Sequence, residues 1–249
     1  MKYILLGTIQ GLTEFLPVSS SGHLVIFQRL LDLPHSIAFD VVVHLATALA
    51  VVVYFWKDII DILVSKRKMI WLLIVGTIIT GIIGIAFKDY FESLFSSVRA
   101  TGGFLILTGV IIMLGEWLGK GKRDLGQMNI WDAILIGLAQ GCAIAPGLSR
   151  SGATISASLG RNLNRSLAAR FSFLLAIPAI AGAGLLQSKE IIKAGTVGIG
   201  TWPLVLGFIA AFISGLIAIR IFMSIIQKTS IRGFAYYCFI IGAIVLILF

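Results

Sequence analysis

Residues 10–23 read Gln10-Gly11-Leu12-Thr13-Glu14-Phe15-Leu16-Pro17-Val18-Ser19-Ser20-Ser21-Gly22-His23. This stretch places an amide, a carboxylate, three serine hydroxyls and an imidazole in a chain that is otherwise strongly apolar. Pro17 and the serines interrupt the apolar residues before they reach the roughly 20 that a spanning helix requires. Polar groups inside a bilayer are costly and mark functional sites. The stretch therefore predicts a helix that enters a membrane, breaks at a site of chemistry and turns back.

The composition of the chain indicates an integral membrane protein. Hydrophobic residues form 58% of the 249 residues, charged residues form 12%, and the mean hydropathy is +1.02. One soluble core cannot enclose so much apolar surface. The formal charge is +9, but the basic residues lie mostly in short loops between apolar segments, which is a signal of membrane topology. We therefore expect membrane lipids around the chain and no nucleic-acid partner.

Six further segments are apolar enough to be interpreted as membrane spans, namely 36–56, 69–87, 101–118, 166–187, 201–223 and 234–249. Residues 57–68 predict a charged connection, and we expect Glu116 to reach the lipid headgroups from the end of its span. A second short apolar segment, 130–145, is cut by Pro146 and resumes at 153–159. The predicted fold is all-α, with six transmembrane helices and two re-entrant broken helices.

The two broken segments belong to an internal repeat with an offset of 130 residues. The offset aligns identical residue types at Gly7 and Gly137, Gln10 and Gln140, Gly11 and Gly141, Ser19 and Ser149, Ser21 and Ser151, Gly22 and Gly152. Each half then has one broken segment and three spans, which inverts the second half relative to the first. We predict a single membrane domain over 1–249, with repeat 1 at about 1–118, a linker at 119–129 and repeat 2 at about 130–249.

The distribution of basic residues predicts the orientation in the membrane. Eleven lie on one side of the predicted spans and six on the other, and the richer side is cytoplasmic by the positive-inside rule. Both termini and the mouth of the first broken segment then face outward across the plasma membrane. The six outer basic residues are Lys2, Arg29, Lys88, Arg99, Lys189 and Lys193.

The loops at 19–22 and 149–152 predict a shared anion site. Each precedes a half-helix, whose free N–H groups and positive dipole end attract anions. Two interpretations are open for Arg150, an ion pair with Glu14 or a guanidinium that forks onto phosphate oxygens. The adjacent hydroxyls and glycines favour the second. The predicted substrate-binding residues are Gln10, Ser19, Ser21, Gly22, Ser149, Ser151 and Gly152.

Gln10 and Glu14 are four residues apart and share a helix face. Such a pair alone is usually a polar seam, but before a serine-rich break we interpret it as a site for a divalent cation, Mg²⁺ or Ca²⁺, that also contacts phosphate. His23 lies three residues after Ser20, so we expect its imidazole beside the serine hydroxyl, as in an activated nucleophile. His44 is interpreted as a packing residue. These groups suit phosphoryl transfer on a lipid with a phosphate or diphosphate head.

Two motifs carry a resemblance to a known family. Gln10-x-x-x-Glu14 with Pro17-Val-Ser-Ser-Ser-Gly-His23, followed by Pro146-Gly-x-Ser-Arg-Ser-Gly152, resembles the undecaprenyl-diphosphate phosphatase family, also called the bacitracin-resistance family. The resemblance implies hydrolysis of a polyprenyl diphosphate to the monophosphate and inorganic phosphate on the outer face, with a divalent cation, which recycles the lipid carrier for envelope synthesis.

The resemblance also implies roles for single residues. Ser20 matches the family's nucleophile and Arg150 its phosphate clamp, and with Glu14 and His23 they form the predicted catalytic set. Gln10, which the family pattern permits, removes one potential metal ligand, and Ser21 stands where relatives often carry threonine. A homodimer is a further expectation.

Two other protein classes share parts of this pattern. Inverted repeats with broken helices are typical of transporters, so a polyprenyl-phosphate flippase is the alternative interpretation. A phosphatase releases phosphate from the substrate in detergent, where there are no two sides of a membrane, and a flippase does not. Lipid phosphatases of the acid-phosphatase superfamily share short Ser-Gly-His and Ser-Arg pieces, but their remaining motifs are absent from this sequence. The sequence leaves open the polyprenyl chain length, the metal, and whether Ser20 or His23 is the nucleophile.

Overall fold

The computed structural model describes residues 1–34, 36–194 and 200–249, without the side chains of 188–194. Two of the six basic residues predicted on the outer side, Lys189 and Lys193, therefore lie outside the described side chains. Within the described residues every regular element is an α-helix, which confirms the all-α class. The helices are α1 (Lys2–Phe15), α2 (Ser20–Leu30), α3 (Ile37–Tyr54), α4 (Trp56–Val64), α5 (Arg67–Ala86), α6 (Lys88–Leu94), α7 (Val98–Leu118), α8 (Ile130–Cys142), α9 (Arg150–Gly160), α10 (Arg165–Ala194), α11 (Thr201–Lys228) and α12 (Arg232–Leu248).

Five described helices are long and apolar enough to cross a membrane: α3, α5, α7, α10 over Arg165–Gln187, and α11. They match five of the six predicted spans. The sixth prediction corresponds to α12, which is apolar but has 17 residues. The two predicted broken segments correspond to α1 with α2 and α8 with α9, and the two helices of each pair contact each other.

The charged connection predicted at 57–68 is mostly helical, because α4 occupies most of that range between α3 and α5. Ile59 and Ile62 lie three residues apart and pack on the core, so the segment has an apolar helical face between its charges. Asp58 lies four residues before Ile62, on the same side of α4, and accepts a hydrogen bond from the Arg170 guanidinium of α10. The charged segment is therefore an amphipathic helix that packs on the core.

The expectation that Glu116 reaches the headgroups is wrong. Its carboxylate is buried and accepts hydrogen bonds from both terminal nitrogens of Arg165, at 2.8 and 2.6 Å. It also accepts from the backbone N–H of Ile231 at 2.9 Å. A buried carboxylate requires such partners. Glu116 consequently joins the end of α7 to the beginnings of α10 and α12.

Glycines allow two helix pairs to pack at very short distances. A Cβ added to Gly11 of α1 would lie 2.0 Å from the Ser214 hydroxyl and 2.4 Å from the Ala211 carbonyl oxygen of α11. A Cβ added to Gly137 of α8 would lie 2.7 Å from the Gly76 carbonyl oxygen of α5. Small residues permit such contacts between membrane helices. The helices that carry the two motifs, α1 and α8, are thus both held against neighbours by glycine.

We expect Gly11→Ala to destabilise the protein, because the new methyl group overlaps a backbone carbonyl that cannot move without shifting α11. Overpacking of this kind costs roughly 1–3 kcal/mol. The measurement is the midpoint of thermal unfolding in detergent. Gly81→Ala is the matched control, since a Cβ there meets no atom of the described chain within 4 Å. Equal unfolding midpoints for the two variants would contradict the close packing of α1 on α11.

Candidate active site

The first loop, between α1 and α2, holds its serines in an unusual backbone. Ser19 has a φ of 68°, a region that residues other than glycine rarely adopt. Its hydroxyl accepts from the N–H of Gly22 at 3.2 Å and caps α2. The Ser21 hydroxyl lies 3.3 Å from that of Ser19. Strain of this kind in a buried polar loop is typical of functional sites.

The second loop, between α8 and α9, repeats this cap. The Ser149 hydroxyl accepts from the N–H of Gly152 at 3.0 Å and lies 3.3 Å from the Ser151 hydroxyl. Gly147 has a φ of 94°, and a Cβ there would lie 2.3 Å from the Thr101 carbonyl oxygen, so the turn requires glycine. The repeat seen in the sequence therefore appears as the same capped helix N-terminus built twice.

The two loops contact each other directly. The Ser151 hydroxyl donates to the Leu16 carbonyl oxygen at 3.1 Å. A Cβ added to Gly22 would lie 2.9 Å from the Cα of Gly147. From α7, the Thr108 hydroxyl holds the second loop by donating to the Gly147 carbonyl oxygen at 2.9 Å. The N-termini of α2 and α9 thus adjoin one buried region, where both dipoles favour an anion.

Glu14 lies at the centre of the polar contacts and is 6% exposed. One carboxylate oxygen accepts from the Gln10 amide at 2.8 Å and from the Ser20 hydroxyl. The other accepts from the Arg150 guanidinium. The Nε2 of His44 lies 3.8 Å from the first oxygen. The fold therefore brings Gln10, Glu14, Ser20 and Arg150 together as a connected group, although they come from both halves of the chain.

Of the two interpretations left open for Arg150, the ion pair with Glu14 is the one in this structure. The remaining donors of the guanidinium have no hydrogen-bond partner among the described residues. An arginine has five N–H donors in a fork that matches phosphate geometry. The pair with Glu14 therefore holds the guanidinium beside both helix N-termini and leaves donors for an anion.

The expected contact between His23 and Ser20 is wrong. The His23 Nδ1 lies 2.7 Å from the Ser19 carbonyl oxygen, and its Nε2 lies 2.8 Å from the Tyr237 hydroxyl. Helical side chains lean back over the preceding turn, which directs the ring to the carbonyl four residues earlier. The Ser20 hydroxyl points instead to Glu14. The base within hydrogen-bond reach of Ser20 is consequently the Glu14 carboxylate.

Two residues that adjoin the predicted site residues were not predicted from the sequence to belong to the site. His44, interpreted as packing, lies next to Glu14, with its Nδ1 2.7 Å from the Asp40 carbonyl oxygen. The available signal was the spacing of Asp40 and His44 on one helix face. Tyr237 comes from α12, 214 residues after His23, and no local motif marks it.

The residues around Glu14 fit a cation that is shared with substrate. Gln10 Oε1 is buried without a hydrogen-bond partner in the described structure, and it would join the Glu14 carboxylate as an oxygen ligand. Within the described residues no three His, Cys, Asp or Glu side chains cluster as a metal site. Mg²⁺ commonly takes one or two carboxylates and completes its shell with water and phosphate. The donor set suits that type of site and not an all-protein cage.

Comparison with known proteins gives one consistent result. Residues 3–244 match the model of a family described as bacitracin resistance protein BacA. A protein of Halothermothrix orenii named undecaprenyl-diphosphatase is 46% identical over 99% of this chain and 97% of its own length. Proteins of the same name from Carboxydothermus hydrogenoformans and Methanosphaera stadtmanae are 44% and 41% identical, over 98% and 100% of this chain and 95% and 97% of theirs.

Proposed function

Since the chain belongs to the BacA family of bacitracin resistance proteins, we propose that it is an undecaprenyl-diphosphatase. This membrane hydrolase cleaves undecaprenyl diphosphate to undecaprenyl phosphate and inorganic phosphate, and so returns the lipid carrier to cell-envelope synthesis. The observation that carries the proposal is the meeting of Ser20 and Arg150 on Glu14, between two capped helix N-termini. The flippase alternative is not favoured, because the relatives are named for hydrolysis.

The diphosphate head is held by groups from both loops. Arg150 forks onto phosphate oxygens, and the N-termini of α2 and α9 direct backbone N–H groups at the same anion. The hydroxyls and glycines of the loops line the space, since glycine allows the backbone to approach phosphate closely. The substrate-binding residues of this proposal are Gln10, Ser19, Ser21, Gly22, Ser149, Ser151 and Gly152.

In the first chemical step the Ser20 oxygen attacks the terminal phosphorus while Glu14 takes the serine proton. The new Ser20 O–P bond replaces the bond to the bridging oxygen, which leaves on undecaprenyl phosphate. Arg150 stabilises the charge on the phosphoryl oxygens during transfer. The hydrogen bond from Ser20 to Glu14 supports this assignment of the base.

In the second step water attacks the phosphoserine, and the Ser20 oxygen leaves phosphorus with the proton that Glu14 held, which releases inorganic phosphate. His23 is the final acceptor of the proton of that water. Glu14 and Gln10 would hold a divalent cation, Mg²⁺ or Ca²⁺, which neutralises charge on phosphate oxygens. All four catalytic residues of this proposal come from one chain.

The arrangement we propose is six transmembrane helices and two re-entrant broken helices in inverted repeats. The helix contacts support it, because α1 packs on α11 of the other half as α8 packs on α5. The matching caps of α2 and α9 support it further. The broken helices would enter from opposite faces of the plasma membrane, with both termini and the site mouth on the outer side.

Purified protein in detergent is expected to release phosphate from undecaprenyl diphosphate and none from undecaprenyl phosphate. Chelation by EDTA should abolish the release, and added Mg²⁺ or Ca²⁺ should restore it, since Glu14 adds negative charge beside the phosphates and Arg150 alone does not offset the total. Phosphate release is measured directly, across prenyl diphosphates of several chain lengths. No release from any of them would refute the proposed function. Full activity in EDTA would refute the requirement for a divalent cation and leave the proposed hydrolysis in place.

A further inference from the structure

α12 of the second half touches the site of the first half at two successive residues. The Tyr237 hydroxyl lies 2.8 Å from His23 Nε2, and the two rings are nearly parallel, with centroids 5.7 Å apart and an interplanar angle of 9°. The next residue, Cys238, is buried and its thiol lies 3.6 Å from the Pro17 carbonyl oxygen. Tyr237 is therefore fixed relative to the first loop by its own contacts and by those of its neighbour.

The hydrogen bonds of His23 determine where its proton lies. The Ser19 carbonyl oxygen has no proton to give, so His23 Nδ1 must be the N–H donor of their 2.7 Å contact. In the neutral ring Nε2 then carries the lone pair and accepts from the Tyr237 hydroxyl. His23 is 4% exposed and both partners are uncharged, which favours the neutral ring. The hydroxyl of Tyr237 thus meets the one nitrogen of His23 that is able to accept a proton.

We propose that the Tyr237 hydroxyl holds the His23 ring in one orientation and connects its Nε2 lone pair to the water that attacks the phosphoserine. The Ser19 contact fixes the tautomer, but a ring held at one nitrogen only is free to tilt about that bond. The hydroxyl and the parallel face of Tyr237 remove this freedom. The catalytic consequence rests on the proposed function, because it requires the Tyr237 hydroxyl to give its proton to His23 Nε2 and to take the proton of the attacking water.

A spectroscopic test needs no turnover. Protein with ¹⁵N-labelled histidine is compared as wild type, Tyr237→Phe and Tyr236→Phe, and the His23 signals are assigned from a His23→Asn variant. Tyr236 is the matched control, since it is 56% exposed and has no hydrogen bond or ring contact in the described structure. We expect a protonated Nδ1 in all three proteins and a shifted Nε2 resonance in Tyr237→Phe alone. An unchanged Nε2 resonance, or an unprotonated Nδ1, would overturn the proposal.

The kinetic test separates positioning from substrate contact. In Tyr237→Phe the ring stack is kept, so we expect kcat to fall about ten-fold to a hundred-fold, as when the partner that orients a functional histidine is removed. KM should stay at the wild-type value, and Tyr236→Phe should match wild type in both constants. A raised KM with normal kcat would assign Tyr237 to substrate binding and overturn the proposal. An inactive wild type would refute the proposed function, and the ¹⁵N spectra would still decide the Tyr237 contact.

Discussion

Replacement of Arg150 by alanine is expected to abolish phosphate release from undecaprenyl diphosphate. The guanidinium is the cation that the second loop brings to Glu14 and to both helix N-termini. Arginines that stabilise phosphoryl-transfer transition states are worth roughly a thousand-fold or more in rate. Arg150→Lys should recover little of the loss, because an ammonium keeps the charge without the two-pronged geometry. The measurement is kcat in detergent at saturating substrate.

A loss of folding must be separated from a loss of chemistry in this experiment. Arg150→Ala leaves the Glu14 carboxylate buried and unpaired, which costs roughly 3–5 kcal/mol when a buried pair is broken. Glu14→Gln/Arg150→Ala removes both charges and should unfold near the wild-type temperature while remaining inactive. Arg170→Ala breaks another arginine–carboxylate pair, that with Asp58, and should keep its turnover. An active Arg150→Ala protein would refute the assembly of the site from two halves.

The sequence predicted those features that depend on local pattern. Apolar length predicted six spans, of which five are helices long and apolar enough to cross a membrane, and Pro17 with its serines predicted the end of α1 near Phe15. The 130-residue offset predicted that the two loops are alike, and both build the same serine cap. The prediction that the two loops meet used the same repeat, because inverted halves would bring equivalent elements together, and the loops are in contact.

The features that the sequence did not predict depend on partners far along the chain. The position of Glu116 at the end of a span predicts a contact with headgroups, but Arg165 and the backbone N–H of Ile231 supply its hydrogen bonds. His23 and Ser20 are close in sequence, but each has a better-placed partner elsewhere, Tyr237 and Glu14 respectively. Spacing along a helix limits which side chains share a face, and the choice among partners is made by the tertiary packing.

The repeat also explains why neither half is a complete site. At the 130-residue offset Glu14 corresponds to Ile144, and Ser20 corresponds to Arg150. The first half therefore supplies the carboxylate and the hydroxyl, and the second supplies the guanidinium that contacts the carboxylate. The two loops share the same serine cap and contribute different side chains to one site.

Ser20→Ala is expected to lower kcat by roughly a thousand-fold or more, as removal of a nucleophile does in other hydrolases, with KM little changed. Ser20 is 9% exposed and donates to Glu14, and alanine removes the attacking oxygen without adding volume. Ser97→Ala is the control for the loss of a serine cap outside the site: it removes the cap of α7, which costs about 1 kcal/mol of stability, and leaves the Ser20 hydroxyl in place.

The serine route also requires a phosphoserine intermediate, and Ser20→Ala tests this requirement. A phosphoserine forms and breaks within each turnover, so wild-type protein quenched in acid after mixing with labelled undecaprenyl diphosphate should retain label on the chain, and Ser20→Ala should retain none. Near-normal phosphate release by Ser20→Ala would eliminate the serine route. Glu14, which accepts from Ser20 here, would then act as the base for water that attacks the terminal phosphorus directly.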